Sequence, residues 1–215
     1  MQKIRTFFAS VIRKTGRVHF IALLLTLILL CFLAGITFYL ERQKESLPDQ
    51  LMAKRWSAQG DYAQLSFFFS ERLCLGTEQI QSTRYQMEKA LKDAGEEPDN
   101  SLARLYVDTY ASFGELTVQG EKKSVSVTAI GVGGDFFLFH PVKLLSGRYF
   151  AESDIRKDVV LIDENVAWQL FGSSDIEGKD VRINDAYYRI GGVYERPEGE
   201  LEQMAGSDEL TVYLP

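Results

Sequence analysis

Val18–Leu40 reads VHFIALLLTLILLCFLAGITFYL, 23 residues without Asp, Glu, Lys or Arg. At a rise of about 1.5 Å per residue, a helix of this length spans about 35 Å, enough for a hydrocarbon core of about 30 Å. Its eight Leu, three Ile, three Phe and one Val favour insertion by about 5–9 kcal/mol as an upper figure. Phe38 and Tyr39 fall at its outer boundary, where aromatic rings settle. Such a run exceeds the roughly 7–15 apolar residues of a cleaved signal, and no A-x-A site follows it. We therefore expect an uncleaved transmembrane helix.

Charge sets the expected orientation. Residues 1–40 carry five basic residues, Lys3, Arg5, Arg13, Lys14 and Arg17, and no acidic one; residues 41–215 carry 19 basic and 30 acidic residues. The positive-inside rule then puts residues 1–17 in the cytoplasm and 41–215 outside, at a cell membrane. Within the leader, Ile4, Phe7, Phe8, Val11 and Ile12 form one helical stripe opposite Gln2, Lys3, Arg5, Ser10, Arg13 and Lys14. This reads as a basic amphipathic helix in the lipid interface, in preference to a merely topogenic leader, with Gly16 breaking it before the membrane helix. An outer body this acidic argues against nucleic acid as a partner.

Cys31 lies in the apolar run and Cys74 in the polar body, so no disulfide between them is expected, and His19 with His140 is too small a ligand set for zinc. Residues 41–60, interrupted at Pro48, read as a stalk. Ala63–Ser70 (AQLSFFFS) is short, apolar and aromatic, and reads as a buried strand. Thr77–Ala94 reads as a helix with Thr77 as N-cap and Gly95 as its stop, with Ile80, Met87, Leu91 and Ala94 on one face.

Strands are expected at Ala103–Tyr110, Glu115–Gln119 and Ser124–Val132, with Gly131–Gly134 as a bend after the last. Asp135–Phe139 is an apolar, aromatic run closed by Pro141. Val159–Ile162 is continuously apolar, hence a strand covered on both faces. Asp163 is set to cap a helix over Glu164–Phe171, with Val166, Ala167, Leu170 and Phe171 inward and Gly172 at its end. Val181 and Ile183 lead to an Asn184-Asp185 turn and a returning strand, Tyr187–Tyr194. Leu210–Leu214 is a last short strand. The expected fold is α+β: one N-terminal transmembrane helix, then a mixed α/β body over 61–215 in two subdomains.

Chemistry is hard to find in this pattern. Gly131–Gly134 does not satisfy G-x-G-x-x-G, and Gly172–Lys179 has the wrong glycine spacing for a phosphate loop, with Asp180 in place of Ser or Thr. Asp154, Asp158, Asp163 and Glu164 suit turns and caps better than acid–base work. No serine sits in a G-x-S-x-G elbow, and Cys74 has no evident histidine beside it. Phe67-Phe68-Phe69 is a better core strand than ligand platform. No enzyme, cofactor or metal is expected.

The stretch Leu145–Arg196 resembles the extracytoplasmic core domain of MacB/FtsX-type ABC transporter permeases. Gly147, Arg148, Phe150 and Asp154 match that family's G-R-x-F-x-x-x-D pattern; Ala167, Leu170, Phe171 and Gly172 match its A-x-x-L-F-G helix end; Gly178-Lys179 and Gly192-Val193 match its G-K and G-V steps. Ala129–Phe137 is similar to the strand before its D-Y/F-F turn, and Val212–Pro215 to the closing strand. These glycines permit turns and caps, and Arg148 can pin a loop to Asp154 or to carbonyls. None is catalytic in the family.

The resemblance implies a mechanical subunit. It would contact lipid and an ABC ATPase subunit that binds the ATP, and would work as a homodimer or beside a second permease half. Its outer domain would relay ATPase-driven motion and meet substrate or partner proteins. The family's usual ATPase-coupling surface lies between two later helices, which this sequence does not contain. The alternative is a self-standing, membrane-anchored binding or adaptor domain without an ATPase.

Overall fold

The computed structural model describes residues 2–46, 55–56, 63–98, 104–196 and 209–215. The chain divides into two units, Met1–Gln50 and Leu51–Pro215.

The first unit is a single helix, α1, Gln2–Ser46. Its 45 residues give a length of about 67 Å. The helix passes through Gly16 without a break, which corrects the expected interruption. One glycine costs a helix only about 1 kcal/mol, too little to break a helix of this length. The segment suited to a membrane runs Ile21–Gln43, and Leu23, Leu25, Leu30, Phe32 and Phe38 are exposed around its circumference. By length and composition this segment is a candidate membrane span. Most of the expected stalk lies outside the described residues.

The described residues of the second unit form a seven-stranded sheet with three α-helices and a short 3-10 turn at Glu71–Leu73. In chain order it contains α2 (Thr77–Asp93), β1 (Thr109–Gln119), β2 (Ser124–Gly134), α3 (Phe136–Phe139), β3 (Lys143–Gly147), β4 (Val159–Asp163), α4 (Glu164–Phe171), β5 (Asp180–Ile183), β6 (Ala186–Glu195) and β7 (Thr211–Leu214). The strand order is β3-β6-β4-β7-β2-β1-β5, and β5 pairs again with β6. Arg189 of β6 stands opposite both Val159 of β4 and Asp180 of β5. Six strands therefore close on themselves, leaving β3 alone outside the ring. Closure removes the free edges of these six strands, while β3 keeps one.

Local chemistry explains the elements. Asp163 accepts from the Asn165 N–H at 2.6 Å, and Gly172 ends α4 in the left-handed region at φ 71. Asn184 and Asp185 both hold positive φ between paired Ile183 and Ala186, the two-residue turn that suits a twisted hairpin. Val160, Leu161 and Ile162 are fully buried, with Val160 and Ile162 in one apolar cluster and Leu161 in another, as a strand covered on both faces requires. The larger cluster gathers Val118, Val127, Ile190, Val193 and Val212 from the strands with Val166, Ala167 and Leu170 of α4.

Several expectations need correcting. Ala63–Ser70 joins no strand, and Leu65, Phe67, Phe68 and Phe69 are exposed, Phe68 to 97%. Its β propensity has no described neighbour to pair with, and propensity alone makes no strand. Ala103–Tyr110 and Glu115–Gln119 are not separate: one strand runs from Thr109 to Gln119, while Arg104–Asp108 precedes it. Gly131–Gly134 belongs to β2 instead of bending after it. A Cβ on Gly133 would lie 2.1 Å from the Tyr110 ring, so the missing side chain is what lets that ring cross the strand. The N-cap of α2 is Gly76, not Thr77; the Gly76 N–H donates to Gln79 Oε1 at 3.0 Å. At the other end Gly95 (φ 81) follows Ala94, with Gly95 N–H to Lys92 O and Glu96 N–H to Leu91 O.

Candidate functional site

The family-motif residues fall into three places. At the first, β3 crosses β6 backbone to backbone: a Cβ on Gly147 (φ 78) would lie 2.1 Å from Gly191 O, and Arg148 N–H donates to that carbonyl at 3.0 Å. Arg148 Nη1 also donates to Asp154 Oδ2 at 3.0 Å and to Tyr149 O at 3.1 Å. Asp154 in turn accepts from the Ala151 N–H; that bond, with Arg148, holds its carboxyl below the usual range. Gly178 (φ 81) donates from its N–H to Ile190 O. A shallow cavity of about 470 Å³ opens here, with Arg148, Arg156 and Arg189 on its walls. Each of these cations already meets an aspartate: Arg148 with Asp154, Arg156 with Asp158, Arg189 with Asp180.

At the second place, Ala167, Leu170 and Phe171 pack α4 on the sheet, Gly172 ends it, and Lys179 Nζ lies 5.0 Å from the Phe171 ring centre. Gly192-Val193 is in β6, with Val193 fully buried. At the third, Phe150 is buried edge-on to Phe137 at 5.3 Å. The motif therefore spreads over the sheet and does not converge on one chemical centre. The two cysteines, both exposed, are not joined.

Convergence occurs instead at α3, the single turn Phe136–Phe139. Phe137 stacks on Tyr149 at 4.6 Å and meets Tyr213 edge-on at 5.7 Å, while Phe136 lies 5.6 Å from Tyr213. Tyr149 donates its hydroxyl to Val142 O, fixing the loop that carries it. Arg55, from the start of the second unit, donates to Phe139 O at 2.6 Å. The segment that enters the sheet unit and its last strand thus meet on the same helical turn.

An ionic chain continues from α3. Arg104 donates two hydrogen bonds to Asp135, at 3.0 and 2.6 Å. The Asp135 N–H donates to Asp108 O at 2.9 Å. The Asp108 carboxylate accepts from Arg84 Nε of α2 at 2.8 Å. Arg84 also holds Glu152 through both terminal nitrogens, at 2.7 and 3.0 Å, and Glu152 accepts from the Gly134 N–H at 3.1 Å. The Arg84 bonds, above all, keep the Glu152 carboxyl below its usual range. Arg84 passes 5.7 Å from the Tyr110 ring centre, and Tyr106 donates to Arg84 O. Sequence reading missed this set, since its members lie 24, 31 and 68 residues apart in a chain crowded with carboxylates.

Among the described residues no group of three His, Cys, Asp or Glu side chains could hold a metal. In this ionic chain Arg84 and Arg104 are each paired with carboxylates. A family model for the MacB-like periplasmic core domain matches residues 20–215.

The chain belongs to that family.

It is 34% identical over 107 residues to the macrolide export ATP-binding/permease protein MacB of Neisseria gonorrhoeae, covering 49% of this chain and 16% of that protein. To MacB 2 of Aeromonas hydrophila subsp. hydrophila the identity is 35% over 107 residues, with the same shares. The chain thus spans about a sixth of the length of the curated relatives it matches. Among solved structures it resembles the periplasmic region of MacB from Actinobacillus actinomycetemcomitans, with a TM-score of 0.41 at 24% identity, covering 52% of this chain and 50% of that one. The extracellular domain of the noncanonic ABC-type transporter YknZ from Gram-positive bacteria also matches, with a TM-score of 0.41 at 20% identity, covering 50% of this chain and 52% of that one. Within the MacB-like core, the motif residues hold turns and helix ends, while α3 meets both Arg55 and Tyr213 of β7.

Proposed function

We propose that this chain is the N-terminal part of a MacB/FtsX-type ABC transporter permease, whose outer domain relays movement driven by a cytoplasmic ATPase and contacts substrate or partner proteins. One observation supports the relay: Arg55, on the segment that enters the sheet unit, and Tyr213, on the last strand β7 inside the sheet, both bear on α3. Displacement of the entering segment would reach Phe139 through Arg55, and rigid packing of Phe137 against Tyr149, Phe150 and Tyr213 would carry it into the sheet. The relatives' names pair ATP-binding with permease functions; in this chain ATP would be bound by a separate partner subunit, with no cofactor of its own.

In this reading residues 1–17 are cytoplasmic, α1 spans the cell membrane in contact with lipid, and the sheet unit stands outside, as a homodimer or beside a second permease half. The test is purification of the full chain from native membranes in mild detergent, followed by identification of bound subunits and an ATPase assay. Co-purification of an ABC ATPase whose hydrolysis rate changes in the Phe137→Ala variant supports the relay. A chain that purifies without any ATPase, from membranes in which ABC ATPases are expressed, overturns it and leaves an anchored adaptor.

A further inference from the structure

We propose that α2 is a releasable arm, seated on the described part of the sheet unit chiefly by the guanidinium of Arg84, which grips two separate segments of that unit at once, with one further bond from the Tyr106 hydroxyl to Arg84 O. Most helices of globular domains are held by burying an apolar stripe. α2 does this only weakly: none of its residues is fully buried, and Ile80 and Leu91 are half-buried. Met87 is 44% exposed and Tyr85 70%. Against that weak apolar hold stands a concentrated polar one. Arg84 meets Asp108 ahead of β1 and Glu152 beyond β3, and both carboxylates are themselves anchored in the unit. The Asp108 carbonyl accepts from the Asp135 N–H, and Glu152 accepts from the Gly134 N–H while its own carbonyl accepts from Lys157 Nζ at 2.6 Å. The receptor for the guanidinium is thus built without α2.

The arm also covers something. Thr77 and Gln81, on its first turns, form one wall of a cavity of about 400 Å³ whose other wall is Tyr110, Phe136, Phe137 and Glu152. Arg84, on the same helix as Thr77 and Gln81, is bonded to Glu152 of the other wall. Releasing its grip would let α2 swing away and uncover the aromatic side that α3 presents.

Ion pairs that water can reach weaken with salt, whereas buried apolar contacts do not. Side chains of Arg84 and Glu152 are 20% and 35% exposed, within reach of that screening. An arm seated this way responds to salt and to loss of one charge; an arm seated by apolar packing does not. The inference does not depend on an ATPase or on transport.

The test uses the full chain in lipid nanodiscs, with Cys31→Ser and Cys74→Ser and spin labels at Lys89→Cys on α2 and Thr117→Cys on β1. Pulsed electron spin resonance should give one narrow distance for this protein. Arg84→Met should add a second, longer population, and so should raising salt from about 0.1 M to about 1 M, which shortens the screening length from about 10 Å to about 3 Å. Amide exchange in α2 should rise several-fold in both cases while exchange in β4 and β6 stays constant. The charge-exchanged pair Arg84→Glu with Glu152→Arg should narrow the distribution again relative to Arg84→Glu alone. A single unchanged distance in Arg84→Met overturns the proposal. Should that variant lose protection in β4 as well, the salt series on the unsubstituted arm decides: no second population at about 1 M salt overturns it too.

Discussion

Arg196 Nε donates to Asp163 Oδ2 at 3.1 Å, and the same carboxylate caps α4 through the Asn165 N–H. Asp163 is 1% exposed, the only charged residue buried to this degree among those described. Arg196 adds a bond from Nη2 to Glu209 O at 2.6 Å, just before β7. The end of β4, the start of α4, the end of β6 and the approach to β7 therefore meet on one ion pair. Asp163→Ala would leave the cation at the edge of the core and strip the helix cap. A loss of about 3–5 kcal/mol is expected, and Asp163→Asn, which keeps a capping oxygen, should lose less. Urea unfolding of the full chain in detergent, followed by tryptophan fluorescence (Trp168 lies on α4), measures both.

Glu152 gives the structure an acid-sensitive seat. Arg84 and the Gly134 N–H favour the ionised carboxylate, so its folded value is depressed below the unfolded one of about 4.3. The sign follows from linkage: the stabilisation is fully present above the unfolded value and is lost as pH falls through the folded one. The difference in thermal midpoint between the wild type and Glu152→Gln should be constant at neutral pH and shrink below about pH 4. A difference that persists unchanged into acid would show that charge has no part in it.

Gly147→Ala should be among the most damaging small substitutions. The new methyl carbon would arrive 2.1 Å from Gly191 O and 2.5 Å from the Gly192 Cα, at a φ of 78. Both contacts are backbone and neither can rotate away. The left-handed conformation alone costs about 1–3 kcal/mol for a residue with a side chain, and separating β3 from β6 adds to it. At Gly172, which also has positive φ but open space around it, alanine should cost only the conformational part. Comparing the two by thermal unfolding separates strain from collision.

The sequence made parts of this fold readable wherever the cause was local. β4 announced itself through four consecutive apolar residues, α4 through Asp163 and Gly172, and the last hairpin through Asn184-Asp185, because caps and turns are decided within a few residues. Ring closure was not readable, since it rests on pairings such as Thr128 with Thr211 and Val118 with Ile183, far apart in the chain. Phe67–Phe69 misled for the complementary reason: an aromatic run signals β structure only when partners exist. The Arg84 set was invisible because any of many carboxylates could have partnered each arginine. Motif glycines were legible as a pattern, but the reason for Gly147, the approach of Gly191, appears only in space.

Orientation across the membrane can be read from the two cysteines. Cys31 lies within the apolar span and Cys74 in the second unit, and both are exposed on the protein surface. A thiol reacts as thiolate, which forms in water and not in hydrocarbon. If the sheet unit stands outside the cell, a membrane-impermeant maleimide added to intact cells should modify Cys74 and leave Cys31 untouched. Cys74→Ser should then abolish labelling, while Cys31→Ser should not change it. Replacing Leu29 by Arg adds about 3 kcal/mol against insertion, so the membrane-bound fraction after alkaline carbonate extraction should fall. Labelling of Cys74 only after the cells are opened would place the sheet unit in the cytoplasm. That would sever the proposed path from an inner ATPase to an outer domain, whatever the family fold.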